Sequence, residues 1–517
     1  MTASAAEVNA SEAIREAGRD AKVIEEREKN GALTHSASMV DGHWEVAYFA
    51  GVEEVALVLV DPRSGEVRES WTGHQVLWKM ARGYEGAFGH KLNAPYVFLP
   101  LCALFLLGLI DWRRPWRVAT LDLLVLLGFG VSNYFFNRAE IGVSVPLQYP
   151  VLLYLLGRAL WIGLRGRGEG IRPVWRASWL LVAALFLMGF RIGLNMADSG
   201  AIDVGYAGVV GADRISHGEP IYDNFPPDVS QGDTYGPASY LAYVPFEWIW
   251  PWQGTWDDLP AAHGAAVGFD LLTFVLLIWL GIRIRPGPAG RKLAATLAFG
   301  WAAYPYTAYA LESNSNDTLV GALLVAVLLV LSRPIARGVI AALATLTKFA
   351  PLVLAPMLAT YRAAGGTAAG RAAVTGPAAW AFGASFVLTV AVLLAWPAID
   401  PGLHAVYDRT IAYQADRDSP FSIWGQAPSL EPLRTAILIA TGLTSLAFAF
   451  VPKRKTLTQI AALSAALLIS LQLTAEHWFY LYIVWFYPLL LVAMSSLERR
   501  GESPPEVPPR AYPITSR

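Results

Sequence analysis

One cysteine, eight histidines and a charged fraction of only 16% are what this 517-residue chain has least of. Ordinary soluble domains carry roughly 25% charged residues. The lone Cys102 lies inside an apolar run, which leaves no internal disulfide framework and no cysteine-based zinc site. Lys and Arg number 40 against 41 Asp and Glu, for a net charge of -1. No broad basic surface is therefore available to a nucleic acid or another anionic polymer. Disorder is excluded by the 55% hydrophobic content, since disordered chains are poor in apolar residues. What remains is apolar and aromatic: mean hydropathy is +0.40, with 19 Trp and 21 Tyr. That supply suits a membrane protein with rings at the lipid interfaces.

Apolar runs of about 17 to 25 residues span hydrocarbon as helices. The sequence predicts full spans at 95–110, 118–136, 145–164, 177–195, 264–282, 293–310, 317–332, 376–396, 433–451, 456–473 and 480–496. The run from Gly338 to Tyr361 is interrupted by Lys348, Pro351 and Pro356, and reads as two half-helices that enter and leave on one side. The expected fold is an all-α polytopic membrane protein of about eleven spans plus this re-entrant pair, with a small N-terminal α+β domain. Basic residues collect in six alternate loops: Arg113, Arg114 and Arg117; Arg165, Arg167, Arg172 and Arg176; Arg283, Arg285, Arg291 and Lys292; Arg333 and Arg337; Arg362 and Arg371; Lys453, Arg454 and Lys455. Short basic loops stay cytoplasmic, so the acidic connections 196–263 and 397–432 are expected outside the cell membrane. The Pro-rich tail 499–517 falls on the cytoplasmic side.

The first 94 residues are soluble in character. Residues 5–30 read as a charged helix, followed by alternation at Trp44, Val46 and Tyr48 and at Val55, Leu57 and Leu59, then a turn at Asp61–Gly65. This is a hairpin signal. The stretch WEVAYFAGVEEVALVLVDPRSGEVRESWTG resembles a single PepSY-type module. Loop parity puts it outside, and no cleavable signal sequence precedes it.

Connection 196–263 is too long for a mere linker. It holds DSGAIDVGYAGVVGADRISHGEPIYD and then DTYGPASYLAYVPFEWIWPW. Small residues, Tyr and apolar positions recur at helical spacing from Val204 to Ile215, and Ala238–Trp250 reads as an aromatic-rich interfacial helix. An acidic residue just after a span, a Tyr, a small-residue helix, Gly218, Pro220 and Tyr222, then Tyr235 and Pro237, resembles the first outer loop of GT-C glycosyltransferases. The nearest resemblance is to glycosyltransferase family 87, the polyprenyl-phosphate-mannose-dependent mannosyltransferases. Asn314, Asn316 and Asp317, and the run Thr347, Lys348, Phe349, Ala350, Pro351 and Leu352, fit as well. The resemblance covers about 177–496. It divides the chain into residues 1–94, three accessory spans over 95–176, a catalytic region over 177–498 and the tail.

The resemblance implies that Asp203 is the catalytic aspartate. A base must reach the acceptor hydroxyl as the bond from the sugar C1 to phosphate breaks, and a carboxylate at the mouth of a low-dielectric cavity has its pKa raised toward a useful value. Alternatively Asp203 caps a helix starting at Val204; Asp198 at the same helix mouth is the second candidate. Arg191 and Lys348 are cations within membrane segments, where charge is costly and faces a cavity or partner. A polyprenyl-phosphate donor would supply that partner; Arg191 has the alternatives of snorkelling or pairing with Asp198. Tyr206, Tyr235, Glu312, Asn314 and Asn316 are candidate contacts to sugar hydroxyls, and Glu476 and His477 candidate contacts to donor or acceptor. The blander role of these last two is to start a helix. Trp248, Trp250, Trp252 and Trp256 suit interfacial anchoring better than stacking on substrate. Asp416 and Asp418 form an Asp-x-Asp pattern that a solvated loop explains, and lipid-phosphate donors need no metal or cofactor. Asp122, Arg158 and Asp270 are intramembrane charges without a task. Gly166, Gly168 and Gly170 lack the preceding strand of a phosphate loop.

The function expected from the resemblance is an inverting transfer of a sugar, mannose by the family, from a polyprenyl-phosphate donor to a lipid or glycan acceptor. A multi-pass transporter or lipid flippase is the alternative, since it too uses intramembrane charges and broken helices. Against it, no pair of matching halves is visible. A third reading, a sensor or assembly factor built on the PepSY-like module, leaves the long acidic connection unexplained.

Overall fold

The computed structural model describes residues 8–83, 89–362, 376–415 and 419–497. Two compact units divide the chain. The first takes in residues up to Ala87 together with Tyr134–Ser144, and the second takes the rest.

In the first unit the charged N-terminal stretch is two helices, not one. Helix α1 (Ala10–Ala17) starts on Asn9, whose side chain accepts from the Glu12 N–H, and α2 (Ala21–Asn30) starts on Asp20, which accepts from the Lys22 N–H. The first helix closes at Gly18, and Asp20 starts the second by taking an N–H that the new helix cannot satisfy internally. Strands β1 (Thr34–Val40), β2 (His43–Ala50), β3 (Glu53–Val60) and β4 (Val67–Thr72) form an antiparallel meander. Val46 and Tyr48 lie opposite Val58 and Ala56, and that face packs against Ala13, Ala17 and Val23. The alternating Val55 and Leu57 are buried on the other face, so β3 is apolar on both sides. In the turn after β3 the Arg68 guanidinium (2.8 Å), aided by two backbone N–H groups, holds Asp61 well below the usual carboxylate range.

The second unit is helical and membrane-like. Among the described residues, six helices are long and apolar enough to cross a bilayer: Val118–Phe136, Ile141–Arg165, Ala177–Asp198 (α3), Pro260–Ile284, Pro377–Ala412 and Pro428–Phe450. They coincide with six of the eleven expected spans. The other five are shorter: Pro95–Leu109, Gly287–Ala303, Asp317–Leu329, Leu457–Gln472 and Ile483–Ser496. A 13-residue helix rises about 20 Å, against roughly 30 Å of hydrocarbon. The expected span 293–310 is broken at Tyr304, before Pro305, where a second helix, Pro305–Glu312, begins. Proline pushes its predecessor out of the helical region and offers no N–H.

Position in the bundle accounts for the short lengths of several of these. Every residue of Ile483–Ser496 is buried, as is every residue of Gly287–Ala303 from Leu293 on and nearly every residue of Asp317–Leu329. Buried helices can be short or broken because neighbouring protein, not lipid, meets their ends. Over Pro377–Pro397, by contrast, only Phe382 and Pro397 are buried, and Trp380, Val387 and Val392 are 65–70% exposed. So large an exposed apolar face marks a lipid-facing surface. The interrupted run breaks at Lys348, after Pro334–Thr347, and continues as short turns over Ala350–Ala359.

The intramembrane charges pair. Arg158 bonds Asp122 at 2.9 Å, and Asp122 also accepts from the Tyr154 hydroxyl. Arg191 bonds Asp270 at 2.9 Å. Breaking a buried pair leaves an uncompensated charge at about 3–5 kcal/mol, so each pair fixes two helices against one another.

Candidate functional site

The candidate base opens a helix. After α3 the chain makes a short turn and starts α4 (Asp203–His217), with Ile202 as the N-cap and Asp203 as the first helical residue. The expected cap at Asp203 is therefore displaced by one residue: no side-chain bond caps this helix. Asp203 is exposed and, among the described residues, takes no hydrogen bond or ion pair. It is not enclosed in the low-dielectric cavity that the sequence suggested.

Two contacts seat this helix start on the turn 313–317. The Ile202 N–H donates to the Ser313 carbonyl at 3.2 Å, and Gly205 packs on the Asn314 carbonyl so tightly that a Cβ would not fit. Asn314 makes the turn with a φ of 50°, a left-handed conformation that Asn tolerates. Both of its polar side-chain atoms are used inside the protein: Oδ1 accepts from Asn195 (2.8 Å) and Nδ2 donates to Ser199 (2.9 Å). The expected sugar contact at Asn314 is thus committed elsewhere. Asn316 donates to the Ser239 hydroxyl, while its Oδ1 is buried with no partner among the described residues.

The far end of the same turn holds the cation. Asp317 Oδ1 lies 3.1 Å from Lys348 Nζ and accepts from the Trp485 indole at 2.8 Å; its Oδ2 has no partner among the described residues. Lys348 Nζ also sits 4.5 Å over the Tyr235 ring, with Trp485 and Tyr482 at 5.6 and 5.8 Å. Aromatic faces attract a cation through the ring quadrupole. The helix break gives this lysine its place, because the side chain leaves a C-terminal residue with extended backbone. Five residues extend at most about 18 Å, so Asp203 and Lys348 are anchored to two ends of one short turn.

Arg191 does not join them. It is 2% exposed, bonded to Asp270, the Thr307 hydroxyl and the Trp301 carbonyl, and neither snorkels nor pairs with Asp198. Asp198 instead pairs with Lys91 Nζ at 3.2 Å and accepts the Lys91 N–H. Tyr206 is buried, one turn after Asp203, and donates to Asp228 at 3.2 Å. Burial, with the Asp228 carboxylate beside it, pushes its hydroxyl up to about 12, so it stays a donor. Its ring lies 4.8 Å from Trp256.

Glu476 and His477 belong to another cluster. Glu476 pairs with Arg434 at 2.8 Å, and His477 Nδ1 lies 3.0 Å from the Ser419 hydroxyl, with its ring edge-on to Phe421. They tie the connection after Pro377–Ala412 to the start of the last helix. A second tie reaches connection 199–259: Arg409 donates to Asp233 through Nε at 2.7 Å and Nη2 at 2.5 Å, and Nη2 also donates to the Ser230 carbonyl. Asp416 and Asp418 lie outside the described residues.

Glu312, expected as a sugar contact, lies inside the protein instead, and the sequence did not single out Trp485 or Arg409. Glu312 is 1% exposed and, among the described residues, neither carboxyl oxygen has a partner. Burial pushes it up to about 8, against the pull of Arg191. An acidic residue closing a Pro-initiated apolar helix was the available signal.

No family model matches this chain, and no curated protein matches it. The helical membrane character thus stands on the structure alone.

Proposed function

We propose that this protein is an integral-membrane glycosyltransferase that takes a sugar from a polyprenyl-phosphate donor and passes it, with inversion, to a hydroxyl of a lipid or glycan acceptor. By the family resemblance the sugar is mannose, and the working face is extracytoplasmic. One observation carries this reading: an exposed carboxylate without a partner among the described residues, Asp203, and a caged ammonium, Lys348, are anchored to opposite ends of the turn 313–317.

The chemistry follows from their charges. The acceptor oxygen attacks C1 of the donor sugar while its proton passes to the Asp203 carboxylate. The C1–oxygen bond to phosphate breaks, and polyprenyl phosphate leaves with the bonding electrons. Lys348 has one proton directed at Asp317 and others to offer, so it can neutralise the leaving phosphate. Arg191, closed on Asp270, is assigned a structural part. The paired state of Arg191 and Arg158 also weighs against a charged permeation path through the bundle, the feature on which a transporter reading would rest.

The test uses membranes holding the wild type, Asp203→Asn or Lys348→Met, given radiolabelled polyprenyl-phosphate-mannose and lipid extract. Loss of a general base costs about 100-fold or more. Transfer by Asp203→Asn at the wild-type rate removes the carboxylate from the reaction, and absence of transfer by the wild type across donors and acceptors overturns the reading.

A further inference from the structure

Connection 199–259 contains a cleft of about 270 Å³ between the start of Pro260–Ile284 and the middle of α4, walled by Trp250, Trp252, Gln253, Asp257, Leu259 and Val209. We infer that this cleft binds one neutral sugar ring of a glycan acceptor, stacked on the two indoles and hydrogen-bonded to Asp257 and Gln253. The inference rests on the proposed transfer for the word acceptor, and on the cleft alone for the sugar.

The walls are fixed before any ligand arrives. Trp252 donates its indole N–H to the Thr255 carbonyl at 3.0 Å and stands edge-on to Tyr206 at 6.0 Å. Trp250 is 44% exposed. The polar groups offer acceptors. Asp257 Oδ1 accepts the Leu259 N–H at 2.9 Å and Gln253 Nε2 donates to the Pro251 carbonyl at 3.0 Å. Among the described residues, Asp257 Oδ2 and Gln253 Oε1 have no hydrogen-bond donor.

That combination selects the ligand class. A phosphate is rejected, because the only charged group in the lining is a carboxylate and no cation accompanies it. An isoprenoid chain would strip water from Asp257 and return no hydrogen bond. A sugar satisfies both halves of the site: its hydroxyls donate to Asp257 and Gln253, and its C–H face lies on an aromatic plane. The volume falls below the 300–1,000 Å³ of pockets for larger ligands, which suits one ring.

The cleft is also joined to the candidate base. The Trp256 indole donates to the Ala201 carbonyl at 3.2 Å, two residues before Asp203. Val209 lines the cleft six residues after Asp203 on the same helix, about 9 Å of helical rise. A glycan held here would lie along α4 toward Asp203.

The experiment titrates the full chain in lipid nanodiscs with soluble mannotetraose, by saturation-transfer NMR and calorimetry, for the wild type, Trp250→Ala, Asp257→Asn and Asp203→Asn. The expected result is saturable binding that weakens about tenfold in Trp250→Ala, weakens in Asp257→Asn, and is kept in Asp203→Asn. Trp250 is the test position because Trp252 also packs on Tyr206. No saturable binding by the wild type, or equal binding by Trp250→Ala, overturns the inference. So does a component of tryptophan quenching by brominated acyl chains that is present in the wild type and lost in Trp250→Ala, which would place that indole in lipid. Transfer without oligosaccharide binding defeats the cleft and spares the proposed function; binding without transfer does the reverse.

Discussion

The backbone N–H of Ile202 donates to the carbonyl of Ser313, so the helix that begins with Asp203 is seated on the turn that ends at Asp317. The two residues are 111 positions apart in the chain. Their contact carries the candidate base to the candidate cation, and most of what can be tested turns on it.

Gly205 is the first test. A side chain there would collide with the Asn314 carbonyl, which is backbone and cannot swing aside. Gly205→Val is expected to cost about 1–3 kcal/mol and to lower sugar transfer more than thermal stability, since it lifts Asp203 off the turn. Paired thermal melts and transfer assays decide it; full activity would mean the contact does not position the base.

Asp203→Asn is expected to melt at the wild-type temperature. Its carboxylate is exposed and bonds to no described residue, and exposed substitutions of this kind stay within about 0.5 kcal/mol. A clear drop in the melting temperature would reveal a structural task for the side chain.

Asp317→Asn is expected to behave in the opposite way. It leaves the nearly buried Lys348 ammonium without its counter-charge, at about 3–5 kcal/mol. Asp317→Asn combined with Lys348→Met should recover part of that loss, a coupling of about 0.5–3 kcal/mol. Additive losses would show that the pair is not closed in the membrane.

Glu312 sets a pH dependence. It lies between the apolar runs 293–310 and 317–332, and burial pushes it from 4.5 to about 8. The folded state holds the proton more tightly than the unfolded chain, so this stabilisation is complete below about pH 4.5, shrinks as pH rises and is gone above about 8. Glu312→Gln should flatten the change in melting temperature between pH 5 and 8. A wild type whose melting temperature rises across that window would refute the assignment.

The sequence made some of this visible and hid the rest for physical reasons. Lys348 stood out because an ammonium and two prolines inside an apolar run cannot belong to a plain span, and the chain does break there. Asp203 stood out from its place after a span and before small residues. Periodicity gives the face of a helix but not the neighbour it meets. Arg191 and Asp270 are 79 positions apart and Asp122 and Arg158 are 36 apart, so those pairings were invisible. Hydropathy ran straight across Pro305, since an apolar window does not register a missing N–H, and several short buried helices were read as full spans. Trp485 sits in an apolar run where an indole reads as packing, and only the fold brings its N–H to Asp317.

Arg409 laid flat against Asp233 has a mechanical implication. A two-point grip resists shear as well as separation, so it holds Asp233 and Arg409 in one register across the two connections. Admission of a bulky chain beneath them would then be hinged at the flanks of that grip, near Gly218 and Gly402, whose positive φ angles already spare them the steric toll of turning.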